Sequence, residues 1–185
     1  MNPIEILDNV FKIIANAHYM MFHLWTAQIL FSWRWWLGII LSIMPWIVWI
    51  KIRDKKDSAR LLFVGLVVML TTGTMDSIGL AYNAWHYDWE VLPLATAFIP
   101  YDYSLFPVGI MLILQFNPKI NAYIKAVVFA FFTAFIFAEP FVWLSMYHRQ
   151  SWKAWYSFII YIPLYLFYNY IYKSNLFGIH NNTIH

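Results

Sequence analysis

The chain has 185 residues, of which 62% are hydrophobic and 11% are charged, and its formal net charge at pH 7 is +3. A soluble domain carries about 25% charged residues, so this composition argues against a water-soluble protein and for one that folds in a lipid bilayer. The absence of cysteine excludes disulfides and cysteine-based zinc sites, and the basic residues cluster in loops rather than in an aromatic-lined patch, so we predict no nucleic-acid partner.

Residues 1–32 are predicted to form an N-terminal helix with one polar face. Polar residues recur there at three- and four-residue steps, which places them in one stripe along a helix. The members of the stripe are Glu5, Asn9, Lys12, Asn16, Tyr19, His23 and Thr26. Two arrangements fit this pattern. The helix lies on the membrane surface with the stripe toward water, or it crosses the membrane with the stripe turned into a bundle, which we favour.

Residues 33–173 are predicted to form a transmembrane bundle. A helix needs about 20 mainly apolar residues to cross a bilayer. The apolar runs are Trp35–Ile50, Leu61–Asn83, Leu94–Phe116, Ala122–Tyr147 and Ala154–Tyr172. Prolines Pro100 and Pro107 break the third run, which must therefore be covered by neighbouring helices or lie partly outside the hydrocarbon core. The predicted fold class is an all-α, polytopic integral membrane bundle of five or six transmembrane helices.

The distribution of basic residues predicts an orientation. The loop KIRDKKDSAR, residues 51–60, is the most basic segment of the chain. Short loops rich in lysine and arginine stay in the cytoplasm, so this loop is predicted to be cytoplasmic. Counting the spans from there places the C-terminal segment 174–185, a predicted cytoplasmic tail, on the same side.

Three acidic residues fall inside the apolar runs: Asp76, Asp102 and Glu139. With a rise of about 1.5 Å per residue, all three come in the half of the bundle away from the basic loop, so we expect one layer of acids. Ionisable residues at membrane depth mark function or a buried partner. Each acid also has a purely structural explanation. Asp102 follows Pro100 and suits the first turn of a helix, and Asp76 could form a hydrogen bond between helices. A protonated Glu139 could donate to a carbonyl that Pro140 leaves free.

The three acids are the predicted catalytic residues, and the aromatic and histidine residues near them are the predicted ligand-binding residues. The latter are Trp85, His86, Tyr101, Tyr103 and Trp143. Most tryptophans map to the half that holds the acids, where they form a thick interfacial belt or line a groove for a lipid or isoprenoid-like molecule. Histidines His18, His23 and His86 could meet the acids and supply nitrogen ligands for zinc or iron. However, His18 and His23 are five residues apart and do not share a helical face. We therefore predict no metal site, and no cofactor.

Several phrases of the sequence resemble a family of small multi-pass membrane proteins from spore-forming Firmicutes. They are RWWLGIILSIMPWIVW, DKKDSARLLFVGL, FIPYDYSLFPVGIMLILQ and FAEP, and the resemblance extends from Trp25 to Phe177. It implies a bacterial host, a role linked to sporulation and a location in the cytoplasmic membrane. The stretches NAWHYDWEVLP and FIPYDY are more weakly similar to membrane lycopene cyclases, whose paired acids are absent here because Asp102 is followed by Tyr103.

The sequence leads to one functional hypothesis and two alternatives. The leading hypothesis is a membrane protein that binds an apolar, lipid or isoprenoid-like ligand near the acids, with or without acid–base chemistry. The alternatives are a proton-coupled transporter or channel component, and a structural or sensory subunit whose polar stripe docks a partner helix. Besides membrane lipids, the expected partners are a second copy of the chain or another membrane protein, because Gly65, Gly73 and Ser77 permit close helix contact.

Overall fold

The computed structural model describes residues 2–93, 96–116 and 119–174. Helices account for 76% of these described residues, which confirms the all-α prediction. Within the described residues the α-helices are α1 (Pro3–Leu24), α2 (Trp33–Ile52), α3 (Ser58–Ala81), α4 (Phe106–Gln115), α5 (Ala122–Phe132), α6 (Glu139–Trp143) and α7 (Ala154–Lys173). Three π-helical turns join or extend them: Trp25–Ile29, Tyr101–Leu105 and Thr133–Phe137. The predicted tail lies outside the described residues beyond Ser174.

Three of the described helical runs are long and apolar enough to cross a membrane, by length and composition. They are Trp33–Ile52, Ser58–Ala81 and Ala122–Trp143, and they coincide with the first, second and fourth predicted runs. Large apolar side chains on these helices are exposed, among them Ile40, Leu66, Leu70 and Val127. Contiguous exposed apolar surface is typical of a protein surrounded by lipid, so these findings are consistent with an integral membrane protein.

The two remaining predicted runs form shorter or more polar helices. Among its described residues, the third run is helical over residues 99–115, roughly 25 Å of helix, and irregular over residues 96–98. Helix α7 has 20 residues, but tyrosines interrupt its apolar sequence.

Helix α1 starts with a complete capping box. The Asn2 side chain accepts a hydrogen bond from the N–H of Ile4, the Glu5 carboxylate accepts one from the N–H of Asn2, and Pro3 occupies the first turn. No residue of α1 is buried. The segment that follows is attached to the rest of the protein, because the Trp25 indole N–H donates to the Glu90 carbonyl at 3.0 Å.

The helices α3, α4, α5 and α7 pack around a common apolar core, with α3 against α4 and α5 against α7. Gly65 brings α3 and α4 close together, since a Cβ at this position would lie 2.8 Å from the Met111 sulfur. Fully buried core residues include Leu61, Val64, Val68, Ile110 and Met111. This core fills the half of the bundle that contains the N-terminal part of α3.

Three side-chain contacts show which helix termini lie together. The Tyr172 hydroxyl donates to the Asp57 carboxylate at 2.6 Å, and the N–H of Asp54 donates to the Gln115 side chain at 3.0 Å. The Lys125 ammonium donates to the Phe116 carbonyl at 2.7 Å. The α2–α3 loop, the end of α4, the start of α5 and the end of α7 therefore share one end of the bundle, which we call the basic end.

A two-stranded antiparallel ribbon, which the sequence did not predict, covers the opposite end. Strand β1 (Trp85–Tyr87) follows α3, and strand β2 (Tyr147–Arg149) follows α6. The facing pairs are Trp85 with Arg149, His86 with His148, and Tyr87 with Tyr147. Side chains alternate between the two faces of a strand, so the two histidines share one face and the outer pairs share the other.

Tight turns lead into both strands of the ribbon. Asn83 and Ser145, each two residues before its strand, have positive φ angles of 50° and 52°. Asparagine tolerates this left-handed conformation better than most residues. The carbonyl of Ala84 then accepts hydrogen bonds from the N–H groups of Gln150, Ser151 and Trp152, at 3.0, 3.1 and 3.2 Å. The ribbon is thereby tied to the segment that starts α7.

Candidate functional site

A cavity of about 320 Å³ lies beneath the ribbon, between α3, α7 and the helical run that joins α5 to α6. Most of its wall is apolar or aromatic. Its polar groups include the carboxyl groups of Asp76 and Asp102, the Arg149 guanidinium and the Tyr87 hydroxyl. Concave, mainly apolar spaces with a few convergent polar groups are typical of small-molecule sites.

The carboxyl groups of Asp76 and Asp102 meet at one backbone N–H. Asp76 comes from α3 and Asp102 from the π-helical turn before α4, and their exposed fractions are 5% and 2%. The N–H of Phe98 donates to Asp76 Oδ2 at 2.8 Å and to Asp102 Oδ2 at 2.9 Å. Two negative charges at this separation in a buried site repel strongly, so we expect the pair to carry a single proton.

The hydrogen bonds distinguish the two members of the pair. Asp76 accepts from the Trp85 indole N–H at 2.6 Å and from the Tyr87 hydroxyl at 2.9 Å, in addition to the N–H of Phe98. An ionised carboxylate only accepts hydrogen bonds, and donors converging on it stabilise the charge. Asp76 is therefore arranged as the charged member, which leaves the proton on Asp102.

Two tyrosines of the ribbon lie close to this pair. Burial raises the pKa of Tyr87 well above its usual value, and the Asp76 carboxylate raises it further. Burial also raises the pKa of Tyr147. Both phenols therefore remain protonated at neutral pH, and the Tyr87 hydroxyl keeps donating to Asp76.

Local sequence explains how each acid reaches its position. Gly79, one turn after Asp76 on α3, leaves room for the indole of Trp85, because a Cβ on this glycine would overlap the ring. Pro100 starts the helical turn that carries Asp102, and the Thr72 hydroxyl donates to the Asp102 carbonyl at 3.3 Å. Isolated π-helical turns frequently occur at functional sites, and the turn at Tyr101–Leu105 is one of two that border the cavity.

A second space lies next to the cavity. It is an apolar groove of about 500 Å³ between α4 and α5. Tyr101, Thr133 and Phe141 line both spaces. A molecule with one polar end and a long apolar part would find a place for each, the first beside the aspartates and the second in the groove.

The third predicted acid, Glu139, lies outside the cavity wall. Its carboxylate forms an ion pair with Arg149, whose Nη2 is 2.7 Å from Oε1, and the two side chains are 31% and 24% exposed. Arg149 itself lines the cavity. The structure thus brings two of the three acids together and connects the third to the site through an arginine on β2.

The five predicted ligand-binding residues are divided in the same way. Trp85 and Tyr101 line the cavity, and the Tyr101 hydroxyl lies 3.2 Å from that of Tyr161. His86 lies on the other face of the ribbon. Tyr103 approaches Gly73 on α3, and Trp143 is 79% exposed. These last three residues do not line the cavity.

Sequence reasoning missed the ribbon residues that complete the site. Tyr87, Tyr147 and Arg149 line the cavity because they alternate with histidines along the two strands. The indole of Trp152 packs edge-on against that of Trp85, with ring centroids 4.9 Å apart. The signal was present in two matched triplets, WHY and YHR, in which a histidine separates two large side chains.

One group of described residues has the donor atoms and proximity to hold a metal ion. It consists of His86, Asp88 and His148, whose ligand atoms all lie within 4.8 Å of one another. Of the three histidines considered in the sequence analysis, His86 belongs to this group and His18 and His23 do not. The group lies on the ribbon face opposite the cavity.

The cavity combines three chemical capacities: apolar walls that exclude water, an acid that can donate a proton, and a carboxylate that can accept one or bind a cationic or hydroxyl group. No family model, curated protein or solved structure matches the chain.

Proposed function

We propose that this chain is an integral membrane protein that binds a lipid or isoprenoid-like molecule. The polar end of the ligand lies at Asp76 and Asp102, and its apolar part occupies the groove between α4 and α5. The observation that carries the proposal is the single N–H of Phe98 shared by two buried carboxyl groups at the wall of an apolar cavity. A buried acid pair is costly to maintain, and such groups mark functional sites in membrane proteins.

The size of the two spaces supports this class of ligand. A cavity of about 150 Å³ holds benzene, so about 320 Å³ provides room for roughly 13 non-hydrogen atoms and about 500 Å³ for roughly 20. A prenyl chain or a fatty acyl chain of moderate length fits these dimensions. A hydrated ion or a sugar would leave most of the apolar wall unmatched.

We further propose that the helices from α2 to α7 cross the membrane five times, with the basic end in the cytoplasm. In this proposal α1, none of whose residues is buried, lies on the membrane surface, which differs from the crossing arrangement favoured from the sequence. Helices α4 and α7 run from the ribbon to the basic end, as the contacts of Gln115 and Tyr172 indicate. Lys51, Arg53, Lys55, Lys56 and Arg60 lie at or near that end, as the positive-inside rule expects of a cytoplasmic loop. The cavity and ribbon then lie toward the outer surface.

Binding suits the site better than proton transport does. Between the aspartates and the basic end, the core holds apolar side chains such as Val64 and Val68 together with buried tyrosines of α7. The hydroxyl of Tyr165, one of these tyrosines, has no hydrogen-bond partner among the described residues, so the tyrosines do not form a continuous relay. A proton relay needs a chain of titratable groups or water across the membrane. Acid–base chemistry on the bound ligand needs only Asp102 as proton donor and Asp76 as the charge that stabilises the product.

The proposal is tested with a photoactivatable diazirine analogue of farnesol, a short isoprenoid alcohol. The full chain is reconstituted in lipid nanodiscs, irradiated with the probe and analysed by peptide mass spectrometry. We expect cross-links on peptides that line the cavity and the groove, and competition by unlabelled farnesol. Ala138→Trp, which places an indole into the cavity, should reduce labelling at least about tenfold, the effect of losing about 1.4 kcal/mol of binding free energy.

Trp143→Ala is the matched control, because it alters an exposed aromatic residue outside the cavity. This variant should label like the natural chain. Labelling that does not change in Ala138→Trp, or that farnesol does not compete, would overturn the proposal.

A further inference from the structure

We infer that the face of the ribbon opposite the cavity is a site for a divalent transition metal, Zn²⁺ by its donor set, and that the metal clamps the two strands together. The ligands are His86 on β1, Asp88 directly after β1, and His148 on β2. The inference is independent of the ligand proposed above, since these side chains do not line the cavity.

One distance between the donor atoms matches that of a zinc site, and the others are near enough for the three groups to share one ion. Zinc–nitrogen and zinc–oxygen bonds of about 2.0–2.1 Å in a tetrahedron place neighbouring ligand atoms about 3.4 Å apart. His86 Nε2 lies 3.3 Å from Asp88 Oδ1, and His148 Nδ1 lies 2.6 Å from Asp88 Oδ2. The widest separation in the group is within 4.8 Å. Small rotations of the exposed histidine side chains suffice to bring all three atoms around one ion.

The ligand chemistry selects the type of metal. Two imidazoles and one carboxylate suit zinc and its neighbours among the transition metals, whereas calcium and magnesium prefer oxygen ligands throughout. Three protein ligands leave a fourth position for water or another donor. The Gln150 amide lies 3.2 Å from His86 Nδ1. With its oxygen turned toward that nitrogen it would accept the Nδ1–H and orient Nε2 toward the metal.

The backbone places the two histidines for this role. They face each other directly in the antiparallel pair, and their rings stack with centroids 5.1 Å apart. His86 stands between Trp85 and Tyr87, the two residues whose side chains donate to Asp76. His148 stands between Tyr147 and Arg149. An ion held by both histidines therefore fixes the central pair of a ribbon whose other face forms the cavity wall.

A three-residue antiparallel ribbon has few hydrogen bonds to hold it, and an isolated ribbon is at best marginally stable. A metal that bridges both strands would slow its local opening. If Asp88 only accepted hydrogen bonds from the two histidines, adding metal would not change the rate at which the ribbon opens.

Zinc binding is tested on the full chain, purified without a histidine tag and freed of metal with a chelator. Titration calorimetry with Zn²⁺ should give one ion per chain. His86→Ala combined with His148→Ala should weaken zinc binding at least about 100-fold, and Asp88→Asn at least about tenfold. Loss of a residue that only orients a metal ligand costs about 10–100-fold in affinity, so loss of a ligand itself should cost at least as much. His18→Ala combined with His23→Ala is the control, and it should bind zinc like the natural chain.

Hydrogen–deuterium exchange of the ribbon amides distinguishes this site from zinc bound elsewhere on the surface, which would not protect these amides. Zinc should slow amide exchange in β1 and β2 of the natural chain and leave it unchanged in the variant that lacks His86 and His148. The inference fails if the natural chain binds no zinc at millimolar concentration, if the control variant loses zinc instead, or if zinc leaves exchange in the ribbon unaffected.

Discussion

The indole N–H of Trp85 donates a 2.6 Å hydrogen bond to the carboxylate of Asp76, across the turn that joins α3 to the ribbon. The carboxylate lies inside a helical bundle and the indole on a three-residue strand. The bond therefore fixes the position of the strand relative to the helix, and it links the acid pair to the cover of the cavity.

Replacing Trp85 by phenylalanine should destabilise the protein. The substitution keeps an aromatic ring over Gly79 but removes one of three donors to a buried charged carboxylate, and losing such a hydrogen bond costs about 1.5–3 kcal/mol. Thermal unfolding in detergent, followed by near-ultraviolet circular dichroism, should show a lower Tm. Trp143→Phe, which changes an exposed tryptophan, should leave Tm within error. Equal effects of the two substitutions would show that the bond to Asp76 does not stabilise the fold.

Alanine at Gly79 should have the opposite effect to alanine at Gly109. A methyl group on Gly79 would overlap the Trp85 indole, and forcing extra atoms into a packed site costs about 1–3 kcal/mol. No atom lies within 4 Å of the position that a Cβ on Gly109 would take. Alanine there should stabilise α4 by up to about 1 kcal/mol through its higher helix propensity. Chemical denaturation of both variants measures the difference, and a stabilised Gly79→Ala variant would contradict the packing described here.

The two aspartates should respond differently to conversion to asparagine. In Asp76→Asn, the amide NH₂ group faces at least one of the three donors that now bind the carboxylate, and a donor cannot bind a donor. The substitution should therefore lower the free energy of unfolding by about 2–4 kcal/mol. Asp102→Asn replaces a protonated carboxyl group by a neutral amide of the same shape and should cost about 1 kcal/mol or less. Equilibrium unfolding of both variants at neutral pH tests the assignment. A larger loss of stability for Asp102→Asn would indicate that Asp76, and not Asp102, carries the proton.

Glu139→Gln should separate the third acid from the pair. The ion pair with Arg149 is partly exposed, and such pairs contribute about 0–1 kcal/mol, so Tm should change little. Labelling by the farnesol probe should also stay unchanged, because Glu139 does not line the cavity. Asp102→Asn, measured alongside, should reduce labelling at least about tenfold by weakening contact with the polar end of the ligand. Reduced labelling in Glu139→Gln would extend the site to Glu139.

Much of the helical arrangement followed from the sequence because apolar runs and prolines report directly on helices. The runs around α2, α3 and α5 were located to within a few residues. The expectation that the three acids share one layer rested on their depth along the apolar runs. The shared N–H of Phe98 now shows that two of them, Asp76 and Asp102, come together.

The rest of the site depends on contacts between distant parts of the chain. The segments around His86 and His148 are too short for strand periodicity to be recognised, and their pairing joins residues 62 positions apart. Glu139 pairs with Arg149 on β2, so the surroundings of this acid depend on a strand that the sequence did not predict. No local pattern specifies which face of the ribbon points inward.

Tyr101, Thr133 and Phe141 line both the cavity and the groove, so a ligand that occupies both spaces would have to pass between these three side chains. A guest that extends through both must fit its cross-section to this opening, whatever its total volume. The protein would then select ligands by their thickness and branching rather than by their length. Phe141→Ala, which widens the space between these side chains, should admit bulkier chains without altering the aspartates.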